Sequence, residues 1–399
     1  MLIVLKFGGT SLLDRERILR AARRARALQQ QGAQVVVVVS ARGHTTDAIV
    51  ADMAELCRTP DAREADMCLS SGEQLSAGLM ALALRSLGCD AVSLTGGQAG
   101  LVTDSCHGNA RVITLDSRRI RQELAGGKVV VVAGFQGISE SGDITTLGRG
   151  GSDTTAVALA AAIGADVCRI YTDVKGVYSA DPRVVEQARV HREISYDEML
   201  EMAALGAQVL HSRAVELARE KQVRVEVRST FSPEDGGTAL CRESTAERGV
   251  RGIACDDNVA MVTVMGLGSG AGTCRLFGLL AESGIAIDVI IRSPGSGSGR
   301  VRFSVSADDS DRVTALLRSC QQELGFSGFL IHPGMAKVSV VGDGLGGGCG
   351  VAAKMLQALQ AGGIEPAYIT TGDKRTSVIV GKDQACPAVR LLHTAFFGE

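Results

Sequence analysis

The sequence predicts an α/β protein with a mostly parallel central sheet flanked by helices, followed by two smaller α+β repeats. Val35–Val39 is a run of five valines without a polar face, which is typical of a strand buried on both sides of a sheet. Strand-like and helix-like segments alternate over about 230 residues, which favours a parallel sheet. Beyond this region, a strand–helix–strand pattern occurs twice. These observations define the predicted fold class.

The elements of the first region follow from apolar patterning. Short apolar runs predict the strands Leu2–Leu5, Val35–Val39, Val129–Ala133, Val167–Tyr171 and Val223–Val227. Apolar residues at helical spacing predict the helices Leu13–Leu28, Gln74–Leu87, Thr154–Ile163 and Met199–Leu217.

The sequence changes character near residue 243. Arg242–Arg251 is charged and lacks periodicity, so we interpret it as a linker. A strand pattern at Ala260–Gly266, followed by a glycine-rich loop and a helix, returns at Ala336–Gly342. Repeats this short bury too little apolar surface alone, so we expect them to pack on each other or on another subunit. The predicted domains are 1–243, 257–328 and 333–399.

Composition limits the class of protein. The chain has 399 residues and a net charge of -2, which gives no electrostatic reason to expect nucleic acid or a membrane as a partner. No segment reaches about 18 uninterrupted apolar residues, and the N-terminus does not resemble a signal peptide. The eleven cysteines form no C-x-x-C pair, which favours reduced thiols. We therefore expect a soluble cytoplasmic protein.

Two glycine-rich segments join strands to helices. In Lys6–Ser11, the glycines allow backbone N–H groups to approach a phosphate, and the helix N-terminus adds partial positive charge. A plain turn with a solvated lysine is the alternative. Thr145–Asp153 adds Arg149, which suits carboxylate binding. Asp153 lies at the start of a predicted helix and is either a site residue or a helix cap.

Two further segments carry polar residues in positions that suit a site. Tyr171–Tyr178 and Ala180–Arg183 follow a predicted strand, where side chains line the binding crevice of open α/β sheets. A turn rich in Asp and Gly is the alternative interpretation. Ser71–Gln74 is predicted to open a helix, so Glu73 in the first turn is favoured by the helix dipole whether or not it binds substrate.

Other motifs are absent or misplaced. There is no G-x-x-x-x-G-K-[ST] segment, which argues against a Walker-type ATPase. Gly342–Gly347 matches G-x-G-x-x-G, but fewer than 60 residues follow it, too few for a dinucleotide-binding fold. His191 and His211 are isolated, and no cluster has the spacing of metal ligands. We expect no protein-held metal, although Mg2+ accompanies ATP where its phosphates react.

Five motifs together resemble the aspartate kinases of the amino-acid kinase family. They occur in the family's order and spacing, and the similarity extends through residues 1–240. The C-terminal repeats resemble a pair of ACT domains, which sense amino acids. The motifs are KFGGTS at 6–11, SGEQ at 71–74, GFQG at 134–137, TTLGRGGSDTTA at 145–156 and YTDV-GVY-ADPR at 171–183.

The resemblance implies transfer of the ATP γ-phosphoryl group to the β-carboxylate of L-aspartate, the first step towards lysine, threonine and methionine. The carboxylate is already ionised at pH 7, so no general base is needed. The residues implied in catalysis are Lys6, Gly8, Gly9 and Asp153. Those implied in binding aspartate are Ser40, Thr45, Glu73, Phe135, Arg149, Ser152 and Asp153. Those implied in binding ATP are Lys6, Gly8, Gly9, Thr10, Thr172, Asp173, Tyr178, Asp181, Arg183 and Gln208.

The resemblance also implies regulation and assembly. Lysine or threonine is the implied effector, bound near Gly270, Asp288 and Gly350, and the ACT domains imply a homodimer or homotetramer. Gln208 stands where the family often has lysine, so we expect weaker nucleotide binding. The two ACT loops, 268–272 and 347–350, depart from the family's pattern. We therefore expect weakened feedback or a changed effector.

Two alternatives remain open from the sequence. The chain could be a kinase for another carboxylate or phosphate acceptor, such as glutamate, acetylglutamate or uridylate, but those kinases normally lack the tandem ACT domains. It could also be a catalytically silent amino-acid sensor. The presence of Lys6, Arg149 and Asp153 argues against the second alternative.

Overall fold

A computed structural model describes residues 1–206, 209–232, 236–243, 249–267, 270–293, 299–345 and 349–398. The chain separates into two units. The first comprises Met1–Tyr178, Arg189–Ala203 and Gln208–Ala246, and the second comprises Ser179–Ala188, Ala204–Ala207 and Glu247–Glu399.

Strands and helices alternate through the first unit. Its strands are β1 Leu2–Phe7, β2 Gln34–Val39, β3 Ala91–Leu94, β4 Leu101–Thr103, β5 Val112–Leu115, β6 Val129–Ala133, β7 Gln136–Ser139, β8 Ile144–Thr146, β9 Val167–Thr172, β10 Glu193–Ser195, β11 Val225–Ser229 and β12 Thr238–Cys241. Its helices are α1 Arg15–Gln30, α2 Thr45–Leu56, α3 Ala62–Ser86, α4 Arg118–Ala125, α5 Gly151–Ile163, α6 Tyr196–Ala204 and α7 Ser212–Lys221.

The main sheet of the first unit has eight strands in the order β10-β12-β11-β9-β1-β2-β6-β3. All pairs are parallel except β11 with β12. Each valine of Val35–Val39 is at most 1% exposed, so both faces of β2 are covered, as the sequence predicts. A smaller sheet in the order β5-β4-β7-β8 lies in the same unit.

Two predicted helices differ from the observed ones. Ser71–Gln74 does not open a helix, because α3 already begins at Ala62, where the side chain of Asp61 caps it. Gly72 inside the helix permits a close approach, since a Cβ there would lie 2.9 Å from the Cβ of Ala41. The predicted helix Met199–Leu217 is two helices, α6 and α7, and Gly206 between them has a positive φ.

Two similar halves form most of the second unit. Its strands are β13 Val250–Met265, β14 Ile290–Ser293, β15 Arg300–Ser306, β16 Gly328–Gly342, β17 Tyr368–Thr371 and β18 Arg375–Gly381. Its helices are α8 Gly270–Glu282, α9 Ser310–Leu324, α10 Cys349–Ala361 and α11 Ala385–Phe397.

One six-stranded sheet joins the two halves, in the order β14-β15-β13-β16-β18-β17. Strands β13 and β16 are long, and each takes part in both halves. Met261–Met265 pairs with Gly328–His332, whereas Val250–Asp256 pairs with Lys337–Gly342. Each half therefore has the strand order of a ferredoxin-like α+β domain, and the fourth strand of the second half precedes the first half in the chain. Val250 and Arg251, placed in the predicted linker, belong to this strand.

Each half has its own apolar core. Val262, Leu276 and Phe303 are among the buried residues of the first, and Val338, Met355 and Leu392 are among those of the second. Among the described residues, no helix is both long and apolar enough to span a membrane.

Candidate active site

The neighbouring strands β9, β1, β2 and β6 are parallel, so their carboxyl ends meet at one edge of the main sheet. Lys6 lies near the end of β1, Ser40 follows β2, Phe135 follows β6 and Thr172 ends β9. Open α/β sheets bind ligands at this edge. Four residues that the sequence places far apart are thus brought to one end of the sheet.

Lys6 and Asp153 form an ion pair at this edge. Lys6 Nζ lies 2.6 Å from Asp153 Oδ1, and the two side chains are 12% and 11% exposed. Helix α5 begins at Gly151, and its N-terminus has no side-chain cap. Asp153 therefore does not serve as a helix cap. Its carboxylate fixes the lysine ammonium in a largely buried position.

The two glycines after Lys6 differ in their surroundings. The N–H of Gly8 donates to the Tyr171 carbonyl at 3.2 Å, so this amide is already engaged. Gly9 begins a short 3-10 turn, where the first N–H groups have no acceptor within the turn. A Cβ on Gly9 would lie 2.5 Å from the Ala41 carbonyl oxygen. Only glycine fits there, because the backbone after β2 passes so close.

Glu73 is 4% exposed and lies inside α3. Its Oε1 accepts the N–H of Ala41 at 2.9 Å. Its Oε2 is buried and has no hydrogen-bond partner among the described residues. Burial raises the pKa of Glu73 to about 7, although the bond from Ala41 acts in the opposite direction. A buried carboxylate oxygen without a partner is ready to receive a donor from a ligand.

Arg149 lies in a turn between two glycines with positive φ, Gly148 at 73° and Gly150 at 69°. A Cβ on Gly150 would lie 2.1 Å from the Cβ of His211, so glycine is required there. Arg149 is exposed, and no ion pair or hydrogen bond of its side chain occurs within the described part of the chain. Burial lowers the pKa of His211, and the positive charge of Arg149 adds to this effect.

Phe135 and Ser152 lie on adjoining segments. Phe135 has a φ of 68°, which is unusual for a bulky residue, and its N–H donates to Thr155 Oγ1 at 3.1 Å. A Cβ on the preceding Gly134 would lie 2.8 Å from the Cβ of Ser152. The turn after β6 is therefore packed tightly against the start of α5. Strain of this kind is commonly stored at functional sites.

Ser40 and Thr45 border the segment after β2. The N–H of Ser40 donates to the Phe7 carbonyl at 3.1 Å. Thr45 begins α2, and its hydroxyl donates to the Arg42 carbonyl at 2.7 Å. The structure thus places both residues beside Ala41, which Glu73 holds.

Several of the residues predicted to bind nucleotide belong to the first unit. Thr172 ends β9, and its hydroxyl donates to Asp173 at 3.1 Å. Tyr178 forms a single antiparallel bridge with Val190. Thr10 is exposed in the turn after β1.

Two other predicted nucleotide contacts belong to the second unit. Asp181 and Arg183 belong to the second unit, where they pair with each other at 2.7 Å. The hydrogen bond from Arg183 lowers the pKa of Asp181. Gln208 lies outside the described residues.

The predicted effector residues lie in the second unit. Gly270 begins α8, and Gly350 lies in the first turn of α10. Asp288 is paired with Lys337 Nζ at 2.5 Å and Arg375 at 3.2 Å. Burial would raise the pKa of Asp288, but the hydrogen bond from Lys337 and the two positive charges lower it. Asp288 is therefore already neutralised by the protein.

No group of three or more histidine, cysteine or acidic side chains suited to a metal ion occurs in the described part of the chain. A magnesium ion that is held mostly by nucleotide phosphates and water needs no such group.

Two buried polar residues near these segments could not be recognised from the sequence. Gln136 is 2% exposed, donates to the Ser70 carbonyl at 2.8 Å and accepts from Gln74 at 3.1 Å. Asp66 is fully buried in α3. The available signal was a carboxylate among apolar residues in a helix, and the predicted helix began too late to include it.

Glycine-rich turns at the ends of parallel strands, a fixed lysine and an arginine without an ion pair among the described residues indicate a site for phosphate and carboxylate groups, of the kind that small-molecule kinases have. In agreement, residues 1–229 match the amino acid kinase family, and residues 338–396 match an ACT domain. The chain is 48% identical over 398 residues to aspartokinase 2 of Bacillus subtilis, covering 99% of this chain and 97% of that protein. The chain belongs to the aspartokinase family, and its activity is ATP-dependent phosphorylation of aspartate.

Two solved structures have a similar fold. Escherichia coli aspartokinase III in complex with aspartate and ADP, in the R-state, has a TM-score of 0.86 and 27% identity, with 100% of both chains covered. The same enzyme with lysine and aspartate, in the T-state, has a TM-score of 0.76 and 26% identity, with 99% of both chains covered.

Proposed function

We propose that the enzyme transfers the γ-phosphoryl group by positioning and charge stabilisation, with Lys6 as the principal catalytic cation. The observation that carries this proposal is the buried ion pair between Lys6 and Asp153. A lysine fixed before substrate binds needs no reorganisation when negative charge spreads over the transferring group. Gly9 adds a backbone N–H at the start of its turn.

Two residues account for recognition of the amino acid. Arg149 is exposed and has no ion pair among the described residues, and its guanidinium suits bidentate binding of a carboxylate. Glu73 Oε2 is buried and has no hydrogen-bond partner in the part of the chain that the structure describes, and the substrate ammonium would supply the missing donors. A cation beside Glu73 would stabilise the ionised carboxylate and oppose the effect of burial on its pKa, so we propose that Glu73 ionises when aspartate binds. Ser40, Phe135 and Ser152 shape the remaining walls.

We assign the nucleotide to the end of β9, with Thr172, Asp173 and Tyr178 as contacts within the first unit. Mg2+ would be held by the phosphates and water, and it would neutralise phosphate charge. The family resemblance alone supports three further proposed contacts to the nucleotide, which are Asp181, Arg183 and Gln208.

We further propose an amino-acid effector at the ACT domains 257–328 and 333–399, which follow a catalytic domain spanning 1–243. Lysine is the first candidate, because a lysine complex represents the T-state of the Escherichia coli relative. Since Lys337 and Arg375 already neutralise Asp288, feedback by a cationic effector should be weak or changed. We also propose a cytoplasmic homodimer or homotetramer.

The test replaces Lys6 with methionine, which preserves much of the side-chain volume and removes the charge. Lys128→Met is the matched control, since Lys128 pairs with Glu123 at the surface. Loss of a preorganised charge at the transition state corresponds to about 10²–10³-fold in kcat. We expect this loss for Lys6→Met and wild-type kcat for Lys128→Met, measured by ADP release with saturating aspartate. A kcat within about tenfold of wild type for a folded Lys6→Met variant contradicts the assignment.

A further inference from the structure

Asp66 is a buried carboxylate with no role in the proposed chemistry. It lies in α3 and has no solvent exposure. Its Oδ1 accepts the Thr146 hydroxyl at 2.5 Å and the Gly108 N–H at 3.1 Å. Its Oδ2 accepts the Thr146 N–H at 3.0 Å, the Gly108 N–H at 3.0 Å and His107 Nδ1 at 2.9 Å. Because burying a carboxylate is costly, so complete a set of donors indicates a built feature.

The donors come from two segments that adjoin the arginine turn. Thr146 ends β8, three residues before Arg149. Its carbonyl accepts the Ala110 N–H at 2.8 Å, which joins it to the segment after Gly108. A Cβ on Gly148 would lie 2.9 Å from the side chain of Asn109. Asp66 therefore links the segment of His107 and Gly108 to Thr146, just before the turn that carries Arg149.

The same helix supports the other proposed aspartate-binding segments. Its Ser70 and Gln74 bond to Gln136, which follows Phe135. Glu73 bonds to Ala41, beside Ser40. Positions 66, 70, 73 and 74 share one face, because residues three and four apart are neighbours on a helix. One face of α3 thus holds all three segments that carry the proposed aspartate contacts.

We propose that Asp66 is a positioning residue for aspartate binding, acting through Thr146 on the turn that carries Arg149. It touches neither substrate nor nucleotide. Its loss should therefore weaken aspartate binding and leave nucleotide binding unchanged. The inference rests on the proposed role of Arg149 in holding a substrate carboxylate.

The experiment measures KM for aspartate and for MgATP in the full-length Asp66→Asn variant. Asparagine keeps the shape but presents an N–H group to donors. We expect KM for aspartate to rise about tenfold or more, which is the factor for loss of a buried hydrogen bond or two. KM for ATP should stay within about twofold of wild type. Asp143→Asn is the control. Asp143 lies in the turn between β7 and β8 and forms an ion pair with Arg63 of α3, which this substitution breaks.

Thr146 provides a second route if Asp66→Asn does not fold. Thr146→Val removes the hydroxyl at constant shape, and Thr146→Ser retains it. We expect the valine variant to raise KM for aspartate and the serine variant to stay near wild type. Equal increases in both KM values, or an unchanged KM for aspartate in the folded Asp66→Asn and Thr146→Val variants, would overturn the inference.

Arg149→Ala separates this inference from the function on which it rests. An unchanged KM for aspartate in that variant removes the proposed role of Arg149, and with it the basis for Asp66. A raised KM in Arg149→Ala with an unchanged KM in Asp66→Asn leaves the proposed function intact and refutes only the positioning role.

Discussion

Replacing Glu73 with glutamine should change how the stability of the enzyme depends on pH. Burial raises the pKa of this carboxyl from 4.5 to about 7. The folded state therefore binds the proton more tightly than the unfolded chain does. The resulting stabilisation is fully present below pH 4.5 and is lost as the pH rises through about 7. Glutamine has no such proton, so its variant lacks this part of the pH dependence.

The magnitude follows from the size of the shift. A change of one unit corresponds to about 1.4 kcal/mol, so the shift of Glu73 corresponds to about 3 kcal/mol. Glu73 lies in the first unit, and the Tm of a domain of that size changes by about 2–4 °C per kcal/mol. The pKa shift of Glu73 therefore corresponds to several degrees in Tm. The Tm of wild type relative to Glu73→Gln should therefore fall by several degrees between pH 4.5 and 8.

The assay is calorimetric unfolding of the ligand-free protein across this pH range, which follows Tm without assuming a two-state transition. Glu64→Gln is the matched control, since Glu64 lies in the same helix but is exposed. Its Tm difference from wild type gives the effect of the same substitution at an exposed position of this helix. A Tm difference between wild type and Glu73→Gln that does not change with pH would refute the argument that burial of Glu73 favours its protonated form.

Two further changes test the glycine turn and the regulatory half. Gly150→Ala places a Cβ 2.1 Å from that of His211 at a position with a positive φ. We therefore expect this variant to lose at least about 2 kcal/mol of stability, measured by Tm, and to lose activity, measured by ADP release. Lys337→Met removes the main partner of Asp288, whose pKa is lowered in the fold. Wild type should exceed this variant in Tm at pH 7, and the difference should fall as the pH drops below about 4. A difference independent of pH would contradict the ion-pair account.

Patterns that local chemistry dictates could be predicted from the sequence. Buried valines identified β2, and repeated glycines identified the two halves of the second unit. The helix containing Glu73 was placed too late, because Ser71 and Gly72 resemble a helix start. In the structure, glycine is required at position 72 because the helix passes so close to Ala41. This is a tertiary contact, and no local sequence pattern contains it.

Contacts between residues far apart in the chain also could not be predicted from the sequence. The strand Val250–Asp256 completes the second half although it precedes the first, and its charged sequence concealed this pairing. Asp153 could be either a cap or a site residue until its distance from Lys6 was known. The donors of Asp66 come from residues 41 to 80 positions away, so sequence spacing could not reveal them.

The most direct test of the account is formation of aspartyl hydroxamate from L-aspartate, MgATP and hydroxylamine by the purified protein, with L-glutamate in parallel. We predict hydroxamate with aspartate and at least about a hundredfold less with glutamate, because a fixed site rejects a substrate whose reacting carboxylate is displaced. No hydroxamate with aspartate, or equal rates with both amino acids, would contradict it.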